Sequence, residues 1–173
     1  VAANRADRES TEGAVIAKVN ADNTKGVIIS LNCETDFVAK NEDFVALANK
    51  LADMALEHDS KDSLLAAAFE NITVADKLTE QTGVIGEKIE IGTFQTISGA
   101  LLNSYIHAGN KIGAIVALSA NVDGASEVAR DIAMQVAAMN PVALDETQVS
   151  QDVINQELEI AKDQLRQEGK PEN

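Results

Sequence analysis

Two neighbouring segments near the start of the chain, residues 13–19 and 26–33, are rich in apolar residues and are predicted to form strands. In the second segment, every other residue is apolar and falls on one face: Val27, Ile29, Leu31 and Cys33. Alternation with a period of two is typical of half-buried strands. Residues 21–24 favour a tight turn, because Asp and Asn tolerate turn geometry. The pattern therefore predicts a β-hairpin.

The pattern then changes to a helical period. Asn41 is a good N-cap, and Glu42 and Asp43 suit a first helical turn because acidic side chains interact favourably with the helix dipole there. Apolar residues follow at spacings of three and four, at Phe44, Leu47, Ala48, Leu51, Met54 and Ala55. This spacing predicts an amphipathic helix with one buried stripe.

Shorter segments of the same kinds follow this helix. Residues 64–69 and 74–81 have compositions that favour two further helices. Residues 87–96 alternate through Ile89, Ile91 and Thr93, and this alternation predicts a third strand.

The order of hairpin and helix occurs a second time. Residues 113–118 repeat the pattern of 26–31, residues 99–101 repeat that of 13–15, and a turn is expected at 108–110. The helix after this hairpin carries apolar residues in matching positions, with Ile132, Val136 and Met139 corresponding to Leu47, Leu51 and Met54. We infer a degenerate duplication that forms two related α+β subdomains.

Asn140-Pro141 is expected to end the second helix, because the residue before a proline is pushed out of the helical region. From about Ser150 the sequence again favours a helix, with one apolar stripe at Ile154, Leu158, Ala161 and Leu165. This segment is interpreted as the first arm of a helical hairpin or coiled coil.

The predicted fold is therefore α+β, with two related subdomains of antiparallel strands packed with helices, followed by a helical arm. Its expected divisions are a connector at 1–12, a first subdomain at 13–98, a second at 99–140 and a truncated arm at 141–173. The chain begins with Val1 and stops within an expected turn, so we interpret it as a fragment.

Composition and charge exclude several classes of function. The net charge is −14, with 14 basic against 28 acidic residues and no basic cluster, so no nucleic-acid partner is expected. A basic or mixed protein partner suits this charge better. No long apolar run predicts a membrane span or signal peptide. The single cysteine, Cys33, excludes a disulfide framework and favours a reducing compartment, so a cytoplasmic location is expected.

Enzyme and cofactor motifs are missing from the sequence. It contains no phosphate-binding loop, no dinucleotide fingerprint and no Gly-x-Ser-x-Gly elbow. His58 and His107 have no ligand-like spacing, so neither metal nor cofactor is expected. One alternative is a hydrolase that uses either Cys33, as a nucleophile paired with His107, or the carboxylates. The phase of Cys33 with Leu31 instead favours a buried, unreactive side chain.

The segment 32–41, Asn-Cys-Glu-Thr-Asp-Phe-Val-Ala-Lys-Asn, leaves the second strand and enters the first long helix. Thr35 and Asp36 suit local capping, and Phe37 is either a core residue or an exposed tip. From residue type alone the core is favoured, since most large apolar residues are buried.

This segment resembles the signature of the elongation factor Ts family. Three later segments, 104–113, 132–141 and 169–173, are also similar to that family in the same order. The resemblance implies a protein that binds elongation factor Tu in its GDP form and speeds GDP release, and not an enzyme. Phe37 would then be a wedge near the partner's Mg²⁺ and phosphate site, with Asp36 as its polar companion and Thr35 and Val38 shaping the tip.

The resemblance also implies that His107, in the second hairpin, supports contact with other domains of the partner. The competing interpretation of His107 is a hydrogen-bonded hairpin residue without a role in binding. The family's N-terminal helical module and returning helical arm are not in this sequence, so reduced or lost exchange activity is expected. A structural or dimerising module, using the stripe from Ile154 to Leu165, is the alternative function.

Overall fold

A computed structural model of the chain describes residues 7–170. Its centre is a three-stranded antiparallel sheet of β1 (Glu12–Val19), β2 (Lys25–Cys33) and β5 (Glu90–Ser98), in the order β1-β2-β5. Strands β1 and β2 form the predicted hairpin, with Ile16 opposite Ile29. The Asn20 side chain closes the turn by accepting from the backbone N–H groups of Thr24 and Lys25. The predicted third strand is confirmed and begins a few residues late.

Four helices lie between β2 and β5 in the chain: α1 (Asp36–Ala39), α2 (Glu42–Ala55), α3 (Lys61–Ala66) and α4 (Val74–Ile85). Asn41 caps α2 as predicted, because its side-chain oxygen accepts from the N–H groups of Asp43 and Phe44. The buried face of α2 joins the strands in one hydrophobic core, which includes Phe44, Ala48, Leu51, Ile16, Val27, Ile29 and Leu31. Leu47 and Met54 lie at the border of this core.

The predicted helix at 64–69 is wrong over its last residues. Helix α3 ends at Ala66, and Ala67 takes an extended conformation with ψ of 151°. Strands β3 (Ala68–Phe69) and β4 (Ile72–Thr73) then form a short hairpin, whose turn places Glu70 at a φ of 58°. The hairpin places the Phe69 ring in the hydrophobic core, where burial of this large apolar side chain favours the observed path over a continued helix.

A second hairpin and helix follow β5 in the predicted order. Strands β6 (Leu101–Ile106) and β7 (Gly113–Leu118) pair antiparallel, and the turn between them contains Gly109 at a φ of 73°. Helix α5 (Ala125–Met139) ends directly before Asn140-Pro141, as predicted. The hairpin is attached to the first sheet by the Leu102 N–H, which donates to the Asn23 carbonyl at 2.7 Å.

Helix α5 carries smaller side chains on its buried face than α2 does. The residues that α5 buries are Ala125, Ala129 and Ala133, whose small side chains allow close packing of the helix backbone. Ile132 is 39% exposed and Met139 is 67% exposed. In the match of Leu47 to Ile132, the buried Ala129 and Ala133 correspond to the buried Phe44 and Ala48, so the two helices bury corresponding faces.

The chain divides into two compact units, residues 1–138 and 139–173. The second unit contains α6 (Gln151–Gln167), which Ser150 caps by accepting from the Val153 N–H. Beyond its end, Gly169 has a φ of 72°. The interpretation of α6 as one arm of a helical hairpin stays a prediction, as do the domain boundaries at 98 and 140. Residues 1–6 of the expected connector and 171–173 of the expected turn lie outside the described residues.

Candidate functional site

The residues from Thr35 to Val38, here called the tip, connect β2 to the long helix α2. Thr35 is the N-cap of the single-turn helix α1, since its hydroxyl oxygen accepts from the Val38 N–H at 3.5 Å. The Thr35 carbonyl accepts from the Ala39 N–H at 3.2 Å. The local capping expected of Thr35 is therefore confirmed. A four-residue helix gains little stability by itself, so its position depends on anchors outside it.

Phe37 is highly exposed at the tip, with 84% of its surface accessible. The expectation from residue type alone, that Phe37 lies in the core, is wrong. Helix α1 buries Ala39 on its inner side, and residues two apart in a helix point in nearly opposite directions. Burial of Ala39 therefore leaves Phe37 facing outward.

Asp36 and Lys40 form an ion pair across α1, with 2.7 Å between Oδ2 and Nζ. The hydrogen bond from Lys40 and its positive charge hold the pKa of Asp36 below its usual value. The same pairing raises the pKa of Lys40. Both side chains therefore keep their charge near neutral pH, next to the exposed aromatic ring.

A carboxylate from a distant part of the chain contacts the base of the tip. Glu87 Oε2 accepts from the N–H groups of Glu34 and Thr35, at 2.9 and 3.0 Å. Its Oε1 accepts from the Thr35 hydroxyl at 2.6 Å. The sequence analysis did not single out Glu87, because no local pattern indicates a contact across so long a stretch of chain.

A shallow groove of about 390 Å³ runs beside Phe37, between α2 and the end of α4. Its lining includes Val38, Phe44, Val84 and Ile85. Val84 is 75% exposed, so it extends the apolar surface of Phe37 toward α4. No local pattern in the sequence indicated this apolar surface at Val84 and Ile85.

Cys33 is fully buried at the end of β2, and its thiol donates to the Thr35 carbonyl at 3.2 Å. Burial, with a smaller contribution from the charge of Glu87, raises the pKa of the Cys33 thiol to about 11. Such a thiol is protonated and inaccessible, whereas a nucleophilic cysteine needs an exposed thiolate. The structure thus confirms the buried, unreactive interpretation.

His107 lies at the end of β6 and is exposed. Its N–H donates to the Ile112 carbonyl at 2.8 Å, and its Nδ1 lies 2.9 Å from the Tyr105 hydroxyl. The structure therefore shows the hydrogen-bonded hairpin geometry. His107 and Tyr105 also line a groove of about 610 Å³ whose other wall is α5, near Met134. The role of His107 in partner binding stays a prediction.

Residues 7–170 offer neither a metal site nor a membrane span. This part of the chain holds no group of three or more His, Cys, Asp and Glu side chains arranged to bind a metal ion. None of its helices combines the length and apolar character that crossing a membrane requires.

Comparison with known proteins identifies the family. The family model described as Elongation factor TS matches residues 34–173. The chain is 65% identical over 173 residues to elongation factor Ts of Christiangramia forsetii, covering 100% of this chain and 63% of that protein. It is 63% identical over 172 residues to elongation factor Ts of Flavobacterium psychrophilum, covering 99% of this chain and 63% of that protein.

A more distant relative, elongation factor Ts of Porphyromonas gingivalis, is 46% identical over 177 residues. This match covers 100% of the chain and again 63% of the relative, so the chain spans less than two thirds of the length of these proteins. The matched region contains the whole tip, both grooves and α6. The chain belongs to the elongation factor Ts family.

Proposed function

We propose that this chain acts in translation as a guanine-nucleotide exchange factor, which binds elongation factor Tu in its GDP form and promotes GDP release. The observation that carries this proposal is the exposure of Phe37, at 84%, on a tip whose backbone is hydrogen-bonded on both sides. Family membership supports the same role and the same partner.

An exposed aromatic ring on a fixed tip is suited to insertion into a partner. Burying one Phe side chain contributes about 1.5–3 kcal/mol, which corresponds to about one to two decades in affinity. Aromatic anchors in desolvated pockets commonly dominate binding energy. Val84 lies beside Phe37 on the same groove and would enlarge the apolar contact.

The wedge would act on the Mg²⁺ and phosphate site of the partner. Mg²⁺ bridging the phosphates is a large local charge, so its displacement weakens nucleotide binding. Thermodynamic linkage requires that a factor preferring the nucleotide-free partner weakens GDP binding by the same factor. Asp36 stays ionised as the polar companion of Phe37, while Thr35 and Val38 shape the tip. This chain makes and breaks no covalent bond in the process.

The second hairpin would support contact with other domains of the partner. Its candidate residue is His107, which is exposed and held by Tyr105 at the edge of a groove. The His107 ring has an apolar body and a polar tip, and it is held in place. It therefore suits a secondary contact with the partner better than a direct role in nucleotide release.

The test measures release of a fluorescent GDP analogue from elongation factor Tu, with the unaltered chain, with Phe37→Ala and with Val122→Ala. Val122 is an exposed apolar residue away from the tip and serves as the control. Acceleration that Phe37→Ala largely abolishes, and Val122→Ala retains, would support the proposal. Binding without acceleration would restrict the chain to partner recognition. The absence of both binding and acceleration would overturn the proposal.

A structural or self-associating module is the second candidate. The observation that favours it is the row of partly exposed apolar side chains on α6, at Val153, Ile154, Leu158 and Leu165. This function predicts a concentration-dependent dimer in sedimentation equilibrium, which Leu158→Glu would dissociate without any effect on GDP release. A monomer at all concentrations would exclude it.

A further inference from the structure

The base of the tip is held by one carboxylate that receives three hydrogen bonds. Glu87 accepts from the backbone N–H groups of Glu34 and Thr35 through Oε2 and from the Thr35 hydroxyl through Oε1. Hydrogen bonds to an ionised group are stronger than those between neutral groups. All three donors belong to the two residues that immediately precede Asp36 and Phe37.

The contact is reciprocal. Glu34 Oε1 accepts from the Lys88 N–H at 2.7 Å, while Glu34 Oε2 pairs with Arg8 Nη1 at 3.1 Å. The segments 34–35 and 87–88 are therefore joined in both directions. Such a double connection restricts rotation of one segment about the other, which a single hydrogen bond would permit.

The Thr35 hydroxyl transmits this restraint into the tip. It donates to Glu87 Oε1 and uses its oxygen to accept from the Val38 N–H. Because the hydroxyl proton of Thr35 points toward Glu87, a lone pair of the same oxygen is free to face the first turn of α1. Phe37 lies inside that turn, so the direction of its side chain depends on the Thr35 geometry.

Glu87 is itself fixed in place. Gly86 ends α4 at a φ of 87°, and its N–H donates to the Thr82 carbonyl at 3.1 Å. The buried Thr82 hydroxyl accepts from the Ile89 N–H at 3.1 Å. Residues on both sides of Glu87 are therefore anchored to the body of the protein.

We propose that Glu87 is a positioning residue, whose carboxylate holds Glu34 and Thr35 so that Phe37 projects from the tip in a fixed direction. The inference rests on the proposed exchange function, because it assigns to Glu87 the orientation of the wedge. Glu87 need not contact the partner and acts through Thr35.

The first test needs no partner. Amide hydrogen exchange is measured by NMR on the unaltered chain, on Glu87→Ala and on Glu80→Ala. Glu80 is an exposed carboxylate on α4 paired with Lys77, and it controls for loss of a negative charge. Glu87→Ala should speed exchange at Glu34 and Thr35 by about tenfold or more, because both lose a charged acceptor. Unchanged protection at these two amides would overturn the proposal.

The second test measures GDP release from elongation factor Tu. Glu87→Ala should reduce the acceleration about tenfold, and Glu87→Gln should restore part of it because its amide oxygen still accepts a hydrogen bond. A role in overall stability alone would instead reduce the thermal midpoint of unfolding, and the acceleration would recover when the assay is run well below that midpoint.

The outcomes separate the two proposals. If the unaltered chain accelerates release and Phe37→Ala abolishes this effect, but Glu87→Ala retains it, the positioning role is overturned while the exchange function stands. If the unaltered chain does not accelerate release, the exchange function fails, and the amide exchange of Glu34 and Thr35 alone decides whether Glu87 holds the tip.

Discussion

Phe37 and Phe44 lie on consecutive helices and occupy opposite environments, since Phe37 is 84% exposed and Phe44 is 2% exposed. The short helix α1 and the capped start of α2 produce this contrast within one stretch of chain. Both rings border the same groove, Phe44 from the protein core and Phe37 from the tip. Phe44 therefore contributes to folding, whereas Phe37 is available for recognition of a partner.

Phe44→Ala should destabilise the fold far more than Phe37→Ala. Removal of a buried ring costs about 3–5 kcal/mol in the free energy of unfolding, because it loses burial and leaves a cavity. Truncation of the exposed Phe37 should change it by less than about 0.5 kcal/mol. Urea denaturation followed by circular dichroism measures both values. Equal destabilisation by the two substitutions would contradict the exposure of Phe37.

Thr82→Val should weaken the junction between α4 and β5. The substitution removes the hydroxyl that accepts from the Ile89 N–H, so this buried donor loses its partner, at a cost of about 1–3 kcal/mol. Thr79→Val is the matched control. The hydroxyls of Thr79 and Thr82 each donate to the carbonyl four residues earlier, but Thr79 is exposed. Chemical denaturation should show a lower free energy of unfolding for Thr82→Val and little change for Thr79→Val.

Cys33 should make stability depend on alkaline pH. Burial raises the pKa of its thiol from 9.0 to about 11, so between these values the folded chain keeps a proton that the unfolded chain has lost. Stability is therefore greatest below pH 9 and falls toward pH 11, by up to about 1.4 kcal/mol per pH unit from this group.

Other groups titrate in the same range, so the measurement is the difference between the unaltered chain and Cys33→Ala across this range. The substituted chain should show a shallower fall in the free energy of unfolding. Parallel curves for the two chains would contradict the raised pKa of Cys33.

The ion pair of Asp36 with Lys40 should be visible in an acid titration. The pKa of Asp36 lies below its ordinary value of 3.8, since Lys40 donates a hydrogen bond to it and stabilises its charge. Lys40→Gln should therefore raise the pKa of Asp36, as should high salt, which screens exposed charges. NMR of the Asp36 carboxyl carbon measures this value.

Lys50→Gln is the control for that titration, because Lys50 pairs with Glu70 elsewhere on the surface. It should leave the Asp36 titration unchanged. If Lys40→Gln had no more effect than Lys50→Gln, the ion pair would not be formed in solution.

Much of the fold could be predicted from local patterns. Alternation gave the first hairpin and the third strand, and Asn41 and Ser150 marked the starts of α2 and α6. These features depend on residues within one or two turns of each other, so the sequence contains the information directly. The similarity of segment 32–41 to a known family indicated an exposed tip that residue type alone did not.

Three features depended on the path of the chain. Phe69 entered a short hairpin and not a helix, and the face that α5 buries carries the small residues Ala129 and Ala133. Glu87 came to hold Thr35 across 52 positions.

Local sequence pattern therefore predicted most of the helices and strands, the buried face of α2 and the segment that carries the tip. The packing of Phe69 and the distant carboxylate that anchors the tip became visible only in the three-dimensional structure. Hydrophobic period and capping act between near neighbours in the chain. A contact or a hydrogen bond between distant segments depends instead on how the whole set of elements packs.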